Sequence, residues 1–135
     1  MSVFVDTLAF LAVLNADDFH HQEAAAAWKS IVEKGAPLFT QNYVVLETFA
    51  VLQNRIGIAA ARGFIEDIIP VMHVEWVTEA DHGQGITAVL TAARRHLSLT
   101  DCVSFSIIRR LGLRKVFCFD KHFMEQGFEM VQVRD

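Results

Sequence analysis

The amino-acid sequence predicts an α/β fold, a three-layer α/β/α sandwich with a mainly parallel central sheet. Short β-branched and aromatic runs alternate with longer stretches whose apolar residues recur at helical spacing, and they do so along the whole chain. No linker, internal repeat or low-complexity segment interrupts the alternation, so the 135 residues read as a single domain, 1–135. Strands that alternate with helices imply right-handed crossovers, and hence a parallel sheet covered on both faces.

The elements follow in order. Val3-Phe4-Val5 reads as a strand ending at Asp6, and Leu8, Leu11 and Leu14 then repeat at helical spacing. Asn15-Ala16-Asp17-Asp18 supplies turn and capping residues for an Ala-rich helix through Trp28, Ile31 and Val32 that stops near Gly35 and Pro37. Pro37 to Thr40 is a brief strand. Asn42 can cap a helix through Val45, Leu46, Phe49 and Leu52 that ends at Gly57. Ile58 to Ile69 is amphipathic and closed by Pro70, and Val71 to Val77 alternates as a strand does. Glu79 to Arg95 and Ser98 to Leu111 are helical, the second with Val103, Ile107 and Leu111 on one stripe. Lys115 to Phe119 is a strand ending on Asp120, with a short helix from Lys121, and Glu129 to Val133 is the last strand.

Composition narrows the function classes. With 53% apolar and 21% charged residues the chain is an ordinary globular one. Its longest uninterrupted apolar run, Leu8 to Leu14, is far short of the ~18 residues that span a bilayer. Met1-Ser2-Val3 lacks the basic start of a signal peptide, so a cytoplasmic location is expected and no membrane partner. Cys102 and Cys118 match no zinc or redox spacing and read as reduced core residues. The net charge of −4 argues against a generic nucleic-acid coat. It conceals an asymmetry: residues 1–93 carry four basic and eleven acidic groups, whereas residues 94–135 carry eight basic and five acidic. The pairs Arg94-Arg95, Arg109-Arg110 and Arg114-Lys115, followed by Lys121 and Arg134, form either a local phosphate-binding edge or a solvated helix face.

In open parallel sheets ligands bind beyond the carboxyl ends of strands, near the point where strand order reverses. Asp6 and Asp120 both follow strands; the plain alternative for each is a helix cap, worth about 1 kcal/mol. Glu47 has Tyr43, Val44, Ala50 and Val51 as helical neighbours, an apolar face on which an ionised carboxylate needs a partner. Asp101 stands three residues after Ser98, the spacing of a capping box. All four acids can converge on one end of the sheet. Carboxylates about 5 Å apart repel by roughly 3 kcal/mol per pair at an effective dielectric near 20, which calls for cations. Oxygen-only ligands select Mg²⁺ or Mn²⁺ over zinc.

Val5-Asp6-Thr7, Glu47 within Asn42 to Thr48, Ser98-Leu99-Thr100-Asp101 with Ser104, and Phe119-Asp120-Lys121-His122-Phe123 together resemble a PIN domain, and specifically the VapC-type toxin ribonucleases. The resemblance spans almost the whole chain, and the order Asp, Glu, Asp, Asp at these spacings is far more specific than any one acid. It implies that Asp6, Glu47, Asp101 and Asp120 hold the metal, Mg²⁺ or Mn²⁺, with Thr7 and Ser104 as polar support. The implied activity is metal-assisted hydrolysis of RNA phosphodiester bonds, with Arg94, Arg95, Arg109, Arg110, Arg114 and Lys115 binding flanking phosphates. A homodimer and a cognate antitoxin filling the groove are the implied partners.

Other readings fit less well. His82-Gly83-Gln84-Gly85 with Ala88 matches a loose dinucleotide pattern, but Glu79 and Asp81 would face the pyrophosphate. A phosphoacceptor receiver usually has paired acids after its first strand, where only Asp6 stands. The histidines, His122 included, form no zinc motif and read as solvated or core residues. The 11 Phe fall at core periodicities and do not interleave with basic pairs as a stacking platform would. A catalytically silent PIN-like binding module is the remaining alternative, disfavoured because all four acids are intact.

Overall fold

A computed structural model describes residues 1–131. Strand β1 (Val3–Val5) leads into helix α1 (Thr7–Leu14) and helix α2 (His21–Glu33). Strand β2 (Leu38–Gln41) is followed by α3 (Asn42–Arg55) and α4 (Ile58–Gly63), and strand β3 (His73–Glu75) by α5 (Glu79–Ala92) and α6 (Leu99–Arg110). Strand β4 (Lys115–Phe117), α7 (Lys121–Glu125) and β5 (Glu129–Met130) complete the described chain.

The strands form a five-stranded sheet in the order β3-β2-β1-β4-β5, every pairing parallel. Val5 stands opposite Phe117, and Val3 opposite Leu38. The chain lays β2 and β3 to one side of β1, then crosses back and lays β4 and β5 on the other. The order therefore reverses between β1 and β4, and with right-handed crossovers α1 to α4 cover one face and α5 to α7 the other. Val3, Phe4 and Val5 are buried throughout, as the continuous apolar run of a central parallel strand requires. On one face Phe10 of α1 meets Phe64 edge-on, with ring centroids 5.1 Å apart. On the other, Phe105 of α6 meets Phe123 of α7 at 5.0 Å. This is the predicted three-layer sandwich.

Several boundaries differ from the sequence expectation. Asn42 is not the cap of α3. Gln41 is, its side-chain oxygen accepting the backbone N–H of Tyr43 and Val44, while the Asn42 side chain accepts the N–H of Val77. The predicted helix 58–69 leaves α-helical winding after Gly63, widens over Phe64–Ile68 and closes as a 3₁₀ turn over Ile69–Val71. Pro70, with no N–H to donate, lies within that turn, so Val71 and Met72 do not join β3. Helix α5 stops at Ala92 because Ala93 takes a left-handed φ of 51°. Of the expected last strand, Glu129 and Met130 pair with β4, whereas Gln132 and Val133 lie outside the described residues.

Candidate active site

The carboxyl ends of β1 and β4 meet at the reversal point, and the acids collect there. Asp6 is 2% exposed and occupies the N-cap position of α1, yet its side chain makes no capping hydrogen bond. Its buried Oδ1 has no partner, and neither has the buried Thr7 Oγ1 beside it in the chain. The helix-cap alternative for Asp6 is thereby removed. Burial pushes the Asp6 carboxyl up to about 8, and Asp101, Asp120 and Glu47 add to the rise against an opposing hydrogen bond from the Thr7 backbone.

Asp101 sits in the first turn of α6, where the Ser98 hydroxyl accepts its N–H at 3.0 Å. Only the first half of the capping box suggested by the spacing is present, the Asp101 carboxylate being turned instead toward Asp120 and His122. Burial, and next Asp120, push Asp101 up to about 6, while Ser98 and His122 act in the opposite sense. Asp120 caps α7 by accepting the N–H of His122 at 2.8 Å. The His122 ring is nearly buried, with Nδ1 3.0 Å from Asp120 and 3.7 Å from Asp101. His122 is buried, as a core histidine would be, but its neighbours are two carboxylates rather than apolar side chains alone. Asp101, Asp120 and His122 can each present one ligand atom with all three within 4.8 Å of one another. A signal was available in the sequence: an imidazole two residues past Asp120, which caps α7 three residues beyond the end of β4 at Phe117 rather than ending the strand as expected.

Glu47 arrives differently. The sequence placed it on a buried apolar face, but the stripe of α3 that packs inward is Val44, Thr48 and Leu52, which leaves Glu47 exposed on the rim. Its carboxylate accepts the Thr100 hydroxyl at 3.1 Å, which ties it to the first turn of α6 beside Asp101. Behind it, the buried Gln41 amide donates to Ser104 Oγ at 3.0 Å and to the Thr100 carbonyl at 3.5 Å. Gln41 thus locks the end of β2 to α6, a positioning role that the sequence did not reveal. Ser104, buried in α6, accepts from Gln41 and so supports the helix carrying Asp101.

Asp101, Asp120 and His122 can meet at one point, and the Asp6 carboxylate beside them keeps an oxygen without a donor, a carboxylate-rich set that fits a divalent cation. A positive charge there would release the strain recorded in the raised Asp6 and Asp101. Cys118, directly after β4, is a spectator: burial above all, and then Asp6, push its thiol up to about 12.

The basic residues are dispersed. Arg94 and Arg95 lie in the loop leading into α6, and Arg94 pairs with Glu125 of α7 at 3.2 Å. Arg109 donates to Gln126 at 2.8 Å with its guanidinium 5.0 Å over the Phe128 ring. Arg110 is committed to Glu75 and to the buried Asp81, at 2.9 Å each. Lys115 opens β4, and Arg114 precedes it, so both stand at the amino ends of the strands, across the sheet from the acids. The His82-to-Gly85 stretch lies inside α5, not in a loop. Gly85 is there for close packing, since a Cβ would fall 2.6 Å from Val103 Cγ2.

A family model described as PIN domain matches residues 3–129. The 23S rRNA-specific endonuclease VapC20 of Mycobacterium tuberculosis is 33% identical over 133 residues, 98% of either chain. Its crystal structure, described as that of a sarcin-ricin loop cleaving toxin, superposes with a TM-score of 0.86 at 32% identity, covering 98% of this chain and 100% of that one. FitAcB from Neisseria gonorrhoeae shares the fold, with a TM-score of 0.70 at 13% identity over 96% of each chain. With its acids gathered at the β1/β4 reversal and these matches along nearly its full length, the chain belongs to the PIN-domain family, in its VapC type.

Proposed function

We propose that this protein, as a single domain spanning 1–135, is a metal-dependent endoribonuclease that hydrolyses RNA phosphodiester bonds, and that it is the toxin of a toxin–antitoxin pair. The observation that carries the reading is Asp6: a buried carboxylate with an unpartnered oxygen, set among Asp101, Asp120 and Glu47 where parallel sheets bind ligands. Asp6, Glu47, Asp101 and Asp120 would hold the cation, Mg²⁺ or Mn²⁺, with His122 beside them. Bound there, the cation supplies a Lewis acid that activates water and offsets charge on the phosphate. The chain's own residues prepare that step. Ser98 orients Asp101, the Thr100 hydroxyl holds Glu47 at the rim, and Gln41 keeps α6 against the end of β2. Asp6 would hold a cation in its ionised form, its proton passing to solvent.

The substrate we propose is 23S rRNA, supported by the identity to VapC20 along the full length. Arg94 and Arg95, on Asp101's side, serve flanking phosphates better than Arg110, Arg114 or Lys115 do. A cognate antitoxin, a homodimer and a cytoplasmic location complete the proposal. Exposed Leu46, Trp76 and Leu90 supply apolar surface of the kind a second copy covers, and among the described residues no helix is long and apolar enough to cross a membrane. The test is incubation of total RNA with the purified protein in Mg²⁺, Mn²⁺ or chelator, with new 5′ ends mapped against an Asp6→Asn control. Discrete ends that require both metal and Asp6 are expected. RNA binding without cleavage under any condition would instead favour the silent binding module.

A further inference from the structure

The connection between α1 and α2 carries a feature that stability does not explain. Phe19 is 94% exposed, the most exposed large apolar side chain among the described residues. It is nevertheless held in place. Its ring meets His20 edge-on, with centroids 4.9 Å apart, and the His20 ring stacks on Phe119 at 4.4 Å with the planes 12° apart. The loop beneath is pinned: the Asp18 carboxylate accepts the N–H of His20 at 2.8 Å, and His21 Nδ1 lies 2.7 Å from the Ala12 carbonyl. Phe119 is the residue directly before Asp120. The ladder of rings therefore starts at the chain neighbour of Asp120 and ends in a bare aromatic ring. The sequence expectation that the phenylalanines serve only the core is corrected here.

We propose that Phe19, backed by His20 and Phe119, is a stacking platform for an unpaired base of the RNA flanking the scissile phosphate. The inference rests on the nuclease reading and adds a substrate-positioning residue to it. A flat ring stacks on any base, because every base presents a π face. The loop offers no phosphate contact: Asp17 and Asp18 are its charged residues, and no Lys or Arg lies between Asn15 and Trp28. Contact here is with the base rather than the backbone, which requires that the nucleotide be unpaired and selects loops over duplex. A flat, uncharged ring on a fixed backing suits the face of a base, and a protein contact is the outcome the test separates from it.

The test measures binding of a labelled oligoadenylate of about twelve nucleotides, within the span that single-strand-binding folds cover, in an Asp6→Asn background with Mg²⁺. Phe19→Ala is expected to weaken binding by about 10- to 100-fold, the weight of one base–ring stack, with the salt dependence and the melting temperature unchanged. Phe19→Trp should keep the affinity and add tryptophan emission, beyond that of Trp28 and Trp76, which the RNA quenches. In the otherwise unmutated enzyme, Phe19→Ala should lower cleavage of total RNA at its mapped sites in proportion. Unchanged binding and cleavage in Phe19→Ala, or emission at position 19 indifferent to saturating RNA, overturns the platform while leaving the nuclease intact. Loss of a protein complex with RNA binding intact overturns it in favour of a protein contact. Absence of both binding and cleavage in the parent overturns the nuclease reading, and the platform with it.

Discussion

Asp6 is fixed between the end of a buried strand and the first turn of α1, and its side chain is buried there. Folding raises it from its ordinary 3.8 to about 8, so between those values the folded chain binds more protons than the unfolded one. The associated stability is fully present below about pH 4 and is lost as pH rises through about 8. Asp101, raised to about 6, acts in the same direction. In chelator the protein should therefore melt at a lower temperature at pH 8 than at pH 5, as thermal denaturation monitored by circular dichroism would show; a rising profile over that range would contradict the burial of Asp6. The same protons must leave when a cation binds. Titration with Mn²⁺ at pH 7 in buffers of differing ionisation enthalpy should reveal release of about one proton, with affinity increasing toward pH 8. Asp6→Asn removes the charge without changing the shape. It should abolish cleavage while leaving the chelated protein at least as stable as the parent, a pairing that a purely structural aspartate would not produce.

Helices α5 and α6 pack in contact because Gly85 lets Val103 and Leu99 approach its bare Cα. Gly85→Ala gains helix propensity but drives a methyl group into Val103, so a net loss of about 1–2 kcal/mol is expected in urea denaturation. Adding Val103→Ala should recover part of it, which separates the clash from any other effect of the substitution. The same helix pair is pinned at its other end by Arg110, whose guanidinium meets the buried Asp81 through two hydrogen bonds. Arg110→Met would leave the Asp81 carboxylate without its counter-charge, and a loss of about 1–3 kcal/mol should follow. RNA affinity should change little in that variant, because Arg110 is occupied within the fold; a large fall in affinity at unchanged stability would restore it to the phosphate-binding edge.

Across the molecule, charge argues for a substrate gripped at few phosphates. The net charge is −4, and of the three basic pairs only Arg94 and Arg95 lie on the side of the acids. For a single strand held through about three phosphates, the slope of log K against log salt is about −2, and measured binding should fall near or below that magnitude. Much of this protein can be read from its order of residues. Buried strands announce themselves as apolar runs, Asp6 stands directly after one of them and Asp120 three residues past the end of another, which stops at Phe117 rather than at the expected Phe119, and the Ser98-to-Asp101 spacing marks a helix start, because these features depend on neighbours in the chain. The side of α3 that turns inward, and so the exposure of Glu47, depends on which helix packs against it; a Thr in the buried stripe disguised the choice. Likewise the sequence holds His122, Gln41 and Phe19 without their roles, since a ring stacked on a residue a hundred positions away, or an amide bridging β2 to α6, exists only once distant segments meet. Local pattern determined the elements and the acids at their ends, whereas tertiary packing alone decided which of those acids are buried, which partners hold them, and which aromatic ring is left bare.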